Sequence, residues 1–180
     1  MKKFFIAIVI IFLQVSVSSA KIISDSTGRI TFETSNNWYP ISVGGDAFTI
    51  ELQSIALDKD TFVTFKQSKD YMNYKSLYVL SDTQKSIIRD NIIQFHLNGF
   101  KNQNYYAIVN KAGIYDNAII VGFTLQKNGI EYKMVTYYSI KNYVAYTVSL
   151  GATNYTAYEA MNVAKSLKID GILFTKWVVQ

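Results

Sequence analysis

Asn128-Gly129, set between two runs of alternating apolar residues, constrains what this chain can fold into more than any other dipeptide in it. Asn and Gly accept the left-handed backbone that a two-residue type I′ hairpin turn requires, and that turn matches the twist of the strands it joins. Such a turn pairs Leu125 with Tyr132, Phe123 with Met134, Val121 with Thr136 and Ile119 with Tyr138. These largely apolar residues all fall on one face, as a half-buried antiparallel pair requires. An antiparallel sheet with this hairpin inside it follows.

The next turn tests the same face. A two-residue loop at Lys141-Asn142 pairs Ile140 with Tyr143 and Tyr138 with Ala145, sending Val144, Tyr146, Val148 and Leu150 to the other side. One more loop residue pairs Ile140 with Val144, Tyr138 with Tyr146 and Met134 with Leu150. A one-residue shift flips every side chain, so one shared apolar face predicts a three-residue loop with a bulge.

Two helices accompany the strands. Ser81 and Gln84 form a capping box opening a helix over 82–97, with Ile88, Ile92 and Phe95 as its buried stripe and Gly99 as a left-handed stop. A second helix, over 154–168, carries Ala157, Ala160, Met161, Ala164 and Leu167 at helical spacing, and its alanines favour close approach to the sheet. Upstream, 29–34 reads as a strand ended by Ser35-Asn36-Asn37, and Trp38 to Ile41 as a second extended piece broken by Gly44-Gly45-Asp46. Runs 47–57 and 61–67 pair across Asp58-Lys59-Asp60. Over 70–80, Tyr71, Tyr74 and Tyr78 have helical spacing for one turn, which leaves helix and coil open. After Asp170-Gly171 the apolar tail 172–179 is expected to dock as a final strand, with a free partner-binding tail as the alternative. The fold class is α+β, with a mainly antiparallel sheet flanked by the helices 82–97 and 154–168.

The first twenty residues carry a different signal. Lys2 and Lys3 precede an apolar run from Phe4 to Leu13, and Ser18-Ser19-Ala20 closes the segment with small residues. These are the three parts of a secretory signal peptide, with cleavage after Ala20 and Lys21 as the mature N-terminus. A retained anchor needs about 20 apolar residues, and Gln14, Ser16, Ser18 and Ser19 interrupt the run. With no cysteine anywhere, the acceptor for a lipid-modified N-terminus does not exist. Export to the periplasm or the medium follows, with no transmembrane segment in the mature chain.

Removal of the leader leaves 160 residues, read as a single domain over 21–180, and lowers the formal charge from +5 to +3. That charge, with no block of Lys and Arg in the mature chain, gives no ground for nucleic-acid binding. Lack of cysteine excludes thiol catalysis, thiolate metal sites and disulfides. Packing alone holds such a domain, with 14 tyrosines, 11 phenylalanines and two tryptophans to do it.

Chemistry-bearing residues are few. His96, the single histidine, sits at the shoulder of the first helix's buried stripe, and no nucleophile-elbow sequence accompanies it. It reads as a partly buried structural residue. Asp46, Asp58 and Asp60 offer oxygen ligands, but the glycine and later glutamate of a calcium loop are missing, and turn chemistry accounts for them. Glu33, Glu51, Glu131 and Glu159 are scattered along solvated faces. Asn154-Tyr155-Thr156 matches a glycosylation sequon and reads more simply as a helix cap and first turn. Ordinary sheet packing accounts for Tyr105-Tyr106 and Tyr137-Tyr138 first; the alternative is that one ring of each pair stands outside the sheet as an aromatic surface for a partner or a sugar. On that alternative Tyr105, Tyr106, Tyr137 and Trp177 are the candidate interaction surface, and no catalytic, cofactor or metal site is expected.

The layout resembles the PsbP-like superfamily over about residues 28–170. The resemblance rests on Ile30-Thr31-Phe32 followed by Trp38, the helix over 82–97, the strands around 118–150, and Ala164-Lys165-Ser166-Leu167-Lys168-Ile169 as a terminal helix running into a final strand. It implies an α/β/α sandwich around a twisted antiparallel sheet. Members include an extrinsic subunit of the photosystem II oxygen-evolving complex, a nuclear-transport Ran-binding factor and bacterial envelope proteins of the DcrB type, mainly accessory or docking proteins. Fold does not fix function, and no family motif transfers residue by residue. Together with the leader, the resemblance makes the first expectation an exported, noncatalytic accessory protein that docks on another envelope protein, oligomeric state open. Two other functions compete. A carboxylate-dependent hydrolase of an extracellular or cell-wall polymer needs two acids facing across a cleft, about 5–10 Å apart. A carrier of a small apolar ligand needs an enclosed cavity of roughly 300 Å³ or more between sheet and helix.

Overall fold

A computed structural model describes residues 20–35, 37–69 and 72–178. The leader through Ser19, and with it the expected signal peptide, lies outside the described residues, as do Asn36, Tyr71 and Val179. In chain order the strands are β1 (Lys21–Ser24), β2 (Ile30–Thr34), β3 (Tyr39–Ile41), β4 (Thr49–Ala56) and β5 (Phe62–Lys69). A 3₁₀ turn at Leu77–Val79 leads into helix α1 (Asp82–Asn102). Strands β6 (Tyr106–Ile114), β7 (Ile119–Lys127), β8 (Ile130–Lys141) and β9 (Val144–Thr153) follow, then helix α2 (Ala157–Ser166), β10 (Lys168–Ile169), β11 (Ile172–Leu173) and a short helix α3 (Phe174–Trp177).

Seven strands form one antiparallel sheet in the order β3-β4-β5-β9-β8-β7-β6, and β1-β2-β10-β11 form a smaller one. Pro40, which cannot donate to a ladder, sits in the edge strand β3. Helix α1 packs over β6 and β7 on one face; α2 packs over β9, β5 and β2 on the other. The result is an α/β/α sandwich. Its two covers are offset diagonally: among the described residues, the β4-β5-β9 half of the α1 face and the β6-β7 half of the α2 face carry no helix.

The Asn128-Gly129 hairpin has the register argued from sequence, with Ile119↔Tyr138, Val121↔Thr136, Phe123↔Met134 and Leu125↔Tyr132 all paired. Both turn residues have positive φ, 53° and 76°. The capping box at Ser81 and Gln84 is formed in both directions. Gly99 does not stop α1. The helix runs on to Asn102, because the next residue, Phe100, is buried against Phe123. That packing outweighs the roughly 1 kcal/mol a helical glycine costs, and Asn104 takes the left-handed position instead.

The expected three-residue loop after β8 is not found. A two-residue turn at Asn142-Tyr143, both at positive φ, pairs Lys141 with Val144, Ile140 with Ala145 and Tyr138 with Thr147. Val144, Tyr146, Val148 and Leu150 therefore point to the α2 face, the side the sequence argument rejected. The premise of one buried face fails: α2, the small sheet and α3 bury that side as thoroughly as α1 buries the other. β1 and β6 also lie where no strand was read; alanines, a glycine and an asparagine dilute the pattern of β6. The tail docks, though as two strand residues and one helical turn, with Phe174 buried against Phe65 and Tyr137.

Candidate functional site

Strand β9 alternates large and small. Val144, Tyr146, Val148 and Leu150 face α2, whereas Ala145, Thr147, Ser149 and Gly151 face the α1 side. Because α1 sits over β6 and β7, no helix among the described residues packs down on these small residues, and a trough remains between α1 and β9-β5. Toward the Asp46–Lys66 end it encloses about 310 Å³, and toward Asp60 and Tyr105 about 390 Å³. Phe95 and His96 line both parts. Phe95 is 73% exposed and forms the rim. At Gly151 a Cβ would come within 2.5 Å of the Phe62 ring, so a side chain there would force that ring to move.

The middle of the floor is a transverse row of hydroxyls. Ser54, Thr64, Ser149 and Thr136 are successive cross-strand partners. Ser54 Oγ and Thr64 Oγ1 are 2.7 Å apart, and Thr136 Oγ1 lies 3.1 Å from both Ser149 Oγ and His96 Nε2. The imidazole stacks on Phe100 at 5.8 Å and meets Phe123 edge-on at 5.4 Å. Burial pushes its pKa down to about 4, with no charged neighbour contributing. His96 is therefore neutral and a weak base near pH 7. With no carboxylate orienting it, the Thr136–His96 contact lacks the third member of a nucleophile-activating relay.

The acids serve structure. Asp46 accepts from Lys66 at 2.6 Å, which with the Thr49 and Phe48 donors holds its carboxyl below the ordinary range against the opposing effect of burial. Asp58 accepts from the Asp60 amide at 2.8 Å in a turn. Among the described residues, no three His, Cys, Asp or Glu gather as a metal site. Glu131 pairs with Lys133 at 2.7 Å. Burial, then the charge of Asp25, raises the pKa of Glu51, which shares a hydrogen bond with that aspartate. Glu33 and Glu159 border one shallow depression beside α2. There Glu33 is tied to Lys168 at 2.5 Å, and Glu159 Oε1 accepts from Ser35 Oγ and buried Trp38 Nε1, each at 2.7 Å. In the sequon, Thr156 takes the N-cap position without a side-chain cap bond, and its hydroxyl contacts Thr61 and Thr153 instead.

The four aromatic residues singled out from sequence do not share a surface. Tyr105 lies at the trough's far end, its ring edge-on to Phe100 and Tyr132 with Lys127 Nζ 4.6 Å above it. Tyr137 is half-buried on the opposite face, 5.4 Å from Phe174. Trp177 is half-buried against Tyr146 at 4.7 Å, and Lys141 Nζ sits 4.0 Å over its ring while donating to its carbonyl at 2.6 Å. Tyr106 is exposed on the uncovered half of the α2 face, beside Ile108. Tyr115, at the end of β6, folds its ring back over Gly113. Phe95, expected in the buried stripe of α1, is instead exposed at the trough's rim, and Phe100 takes the buried place in the next turn. Ile108, Tyr115 and the hydroxyl row were not singled out from sequence, although the Thr147-x-Ser149-x-Gly151 alternation was visible there. Ala20 is exposed, and Lys21 opens β1 with its ammonium donating to the Trp38 carbonyl at 3.2 Å. No helix among the described residues is long and apolar enough to cross a membrane.

No protein-family model matches this chain, and neither does any curated protein. Among solved structures it is similar to the solution structure of cyanobacterial PsbP (CyanoP) from Synechocystis sp. PCC 6803, with a TM-score of 0.55 and 13% identity over 87% of this chain and 95% of that one. A crystal structure from Bacteroides thetaiotaomicron VPI-5482 gives a TM-score of 0.47 and 13% identity, over 83% of this chain and 48% of that one. The chain has a PsbP-like fold.

Proposed function

From a PsbP-like fold, we propose that this chain is an exported, noncatalytic accessory protein of the bacterial cell envelope that docks on another envelope protein. The observation that carries the reading is the uncovered half-sheet on the α2 face. Tyr106 is 65%, Ile108 48% and Tyr115 48% exposed along the free edge strand β6. Among the described residues nothing pairs with the outer side of β6; its Lys111 and the bulge beside it discourage pairing with a further strand. The exposed Tyr106, Ile108 and Tyr115 side chains, rather than the edge itself, are therefore what a partner would use. Export is supported by the leader and by the position of Lys21, where cleavage leaves the whole of β1 in place. Carboxylates give hydrolysis less support: Glu33 and Glu159, the pair sharing a depression, are each held by donors of their own.

A photo-crosslinking residue placed at Tyr106 or Ile108 in the cells of origin is expected to give one discrete adduct, identified by mass spectrometry. The same residue at Tyr155, 98% exposed at the far end of β9, is expected to give none. No adduct at either β6 position, or the same adduct at all three, overturns the docking face. Intact mass is expected to show a chain starting at Lys21; a purified protein retaining residues 1–20 overturns the export reading.

A further inference from the structure

We infer that the trough beside α1 is a binding site for a linear, uncharged saccharide. Three features of its lining lead there. First, the cleft is held open by residue choice: Ala145, Thr147, Ser149 and Gly151 give β9 a floor of small side chains about 20 Å long, at roughly 3.3 Å per residue. Its two parts, about 310 and 390 Å³, are each of ligand-pocket size and meet at Phe95 and His96, which line both. Second, the middle of the floor is a row of uncharged hydroxyls, with Lys59 and Asp60 at one end of the trough and Lys69 at the other. Thr64, Thr136, Thr147 and Ser149 line it, and each hydroxyl both donates and accepts. Beside them His96 is neutral, Lys66 is tied to Asp46, and Lys133 to Glu131. Third, aromatic rings stand over this floor, with Phe95 73% exposed at the centre and Phe62, Tyr105 and Tyr132 toward one end.

A sugar chain presents this combination in reverse: C–H faces that pack on aromatic rings, and hydroxyls that give and take hydrogen bonds. A fatty acid needs an unbroken apolar floor, and the row of hydroxyls at Thr64, Ser149 and Thr136 interrupts this one. An extended peptide needs a strand edge, but here the backbone groups of β9 are used by β5 and β8, so the floor offers only side chains. The inference concerns the α1 face alone, and docking through β6 on the other face survives either outcome below.

Calorimetric titration of the protein purified from its own cells, with hexasaccharides of β-1,4-glucose, α-1,4-glucose and β-1,4-N-acetylglucosamine, tests it. At least one is expected to bind saturably at one site per chain, whereas palmitate and an extended alanine-threonine peptide do not. Phe95→Ala, at an exposed position that leaves the fold intact, is expected to weaken binding about tenfold, the loss of roughly 1.4 kcal/mol, and Phe95→Tyr to keep it. Ser149→Phe fills the floor and is expected to abolish binding while near-ultraviolet circular dichroism stays native. The inference is overturned if no hexasaccharide binds, if Phe95→Ala and a folded Ser149→Phe bind like the parent, or if palmitate or the peptide competes for the site.

Discussion

The two long helices meet the same sheet in opposite ways. On α2 the small residues are on the helix: Ala160 is fully buried and Ala157 and Ala164 pack beside it, so the helix lies close over Tyr146, Val148 and Leu150. On the α1 side, the small residues of β9 are on the sheet, and the bulk of Ile88, Ile92, Phe95 and Phe100 is on the helix. α1 settles instead where the sheet is also large, over Ile119, Val121, Phe123 and Leu125. Placing the small partner on the helix closes an interface. Placing it on one strand of the sheet leaves a channel beside the helix.

The largest expected effect breaks the closed side. Trp38 is fully buried and its indole donates to Glu159 of α2. Trp38→Ala is expected to cost about 4 kcal/mol in denaturant unfolding. Next is acid sensitivity on the open side. Folded His96 titrates near pH 4 and the unfolded residue near 6.5. Above pH 6.5 both states are neutral and the group has no effect; as pH falls from about 6.5 to 4, the unfolded state takes the proton first. About 3 kcal/mol of stability is lost over that window, and His96→Gln is expected to show a stability–pH curve without that component. The smallest effect sharpens the contrast. Ile92 lines the trough and is only partly buried, so Ile92→Ala is expected to cost about 1 kcal/mol, below the 2–5 kcal/mol of an enclosed site. A loss of the Trp38 size there would mean that α1 is packed as tightly as α2.

Local rules were readable wherever one short segment settles the outcome. Asn128-Gly129 set its own turn and, through period-two alternation, the register of β7 against β8. Ser81 and Gln84 set a helix start by bonding to each other's backbone amide and side chain. Reading failed where a distant element arbitrates. Tyr143 at a φ of 65° is an unfavourable conformation for a bulky side chain, so nothing local marked the two-residue turn. Gly99 looks like a stop until Phe100 finds Phe123. The candidate site was half visible for the same reason. The alternation in β9 stood in the sequence, but not what would cover each of its faces.

Asn128-Gly129, the period of the strands and the capping box thus account for the antiparallel hairpin, the helix start and the α+β class, because each depends on backbone conformation within a few residues. Which way β9 faces, where α1 comes to rest, and hence the trough and the bare edge at β6 come from packing between segments far apart in the chain. Side-chain volume must balance across both layers at once, and no local pattern carries that sum.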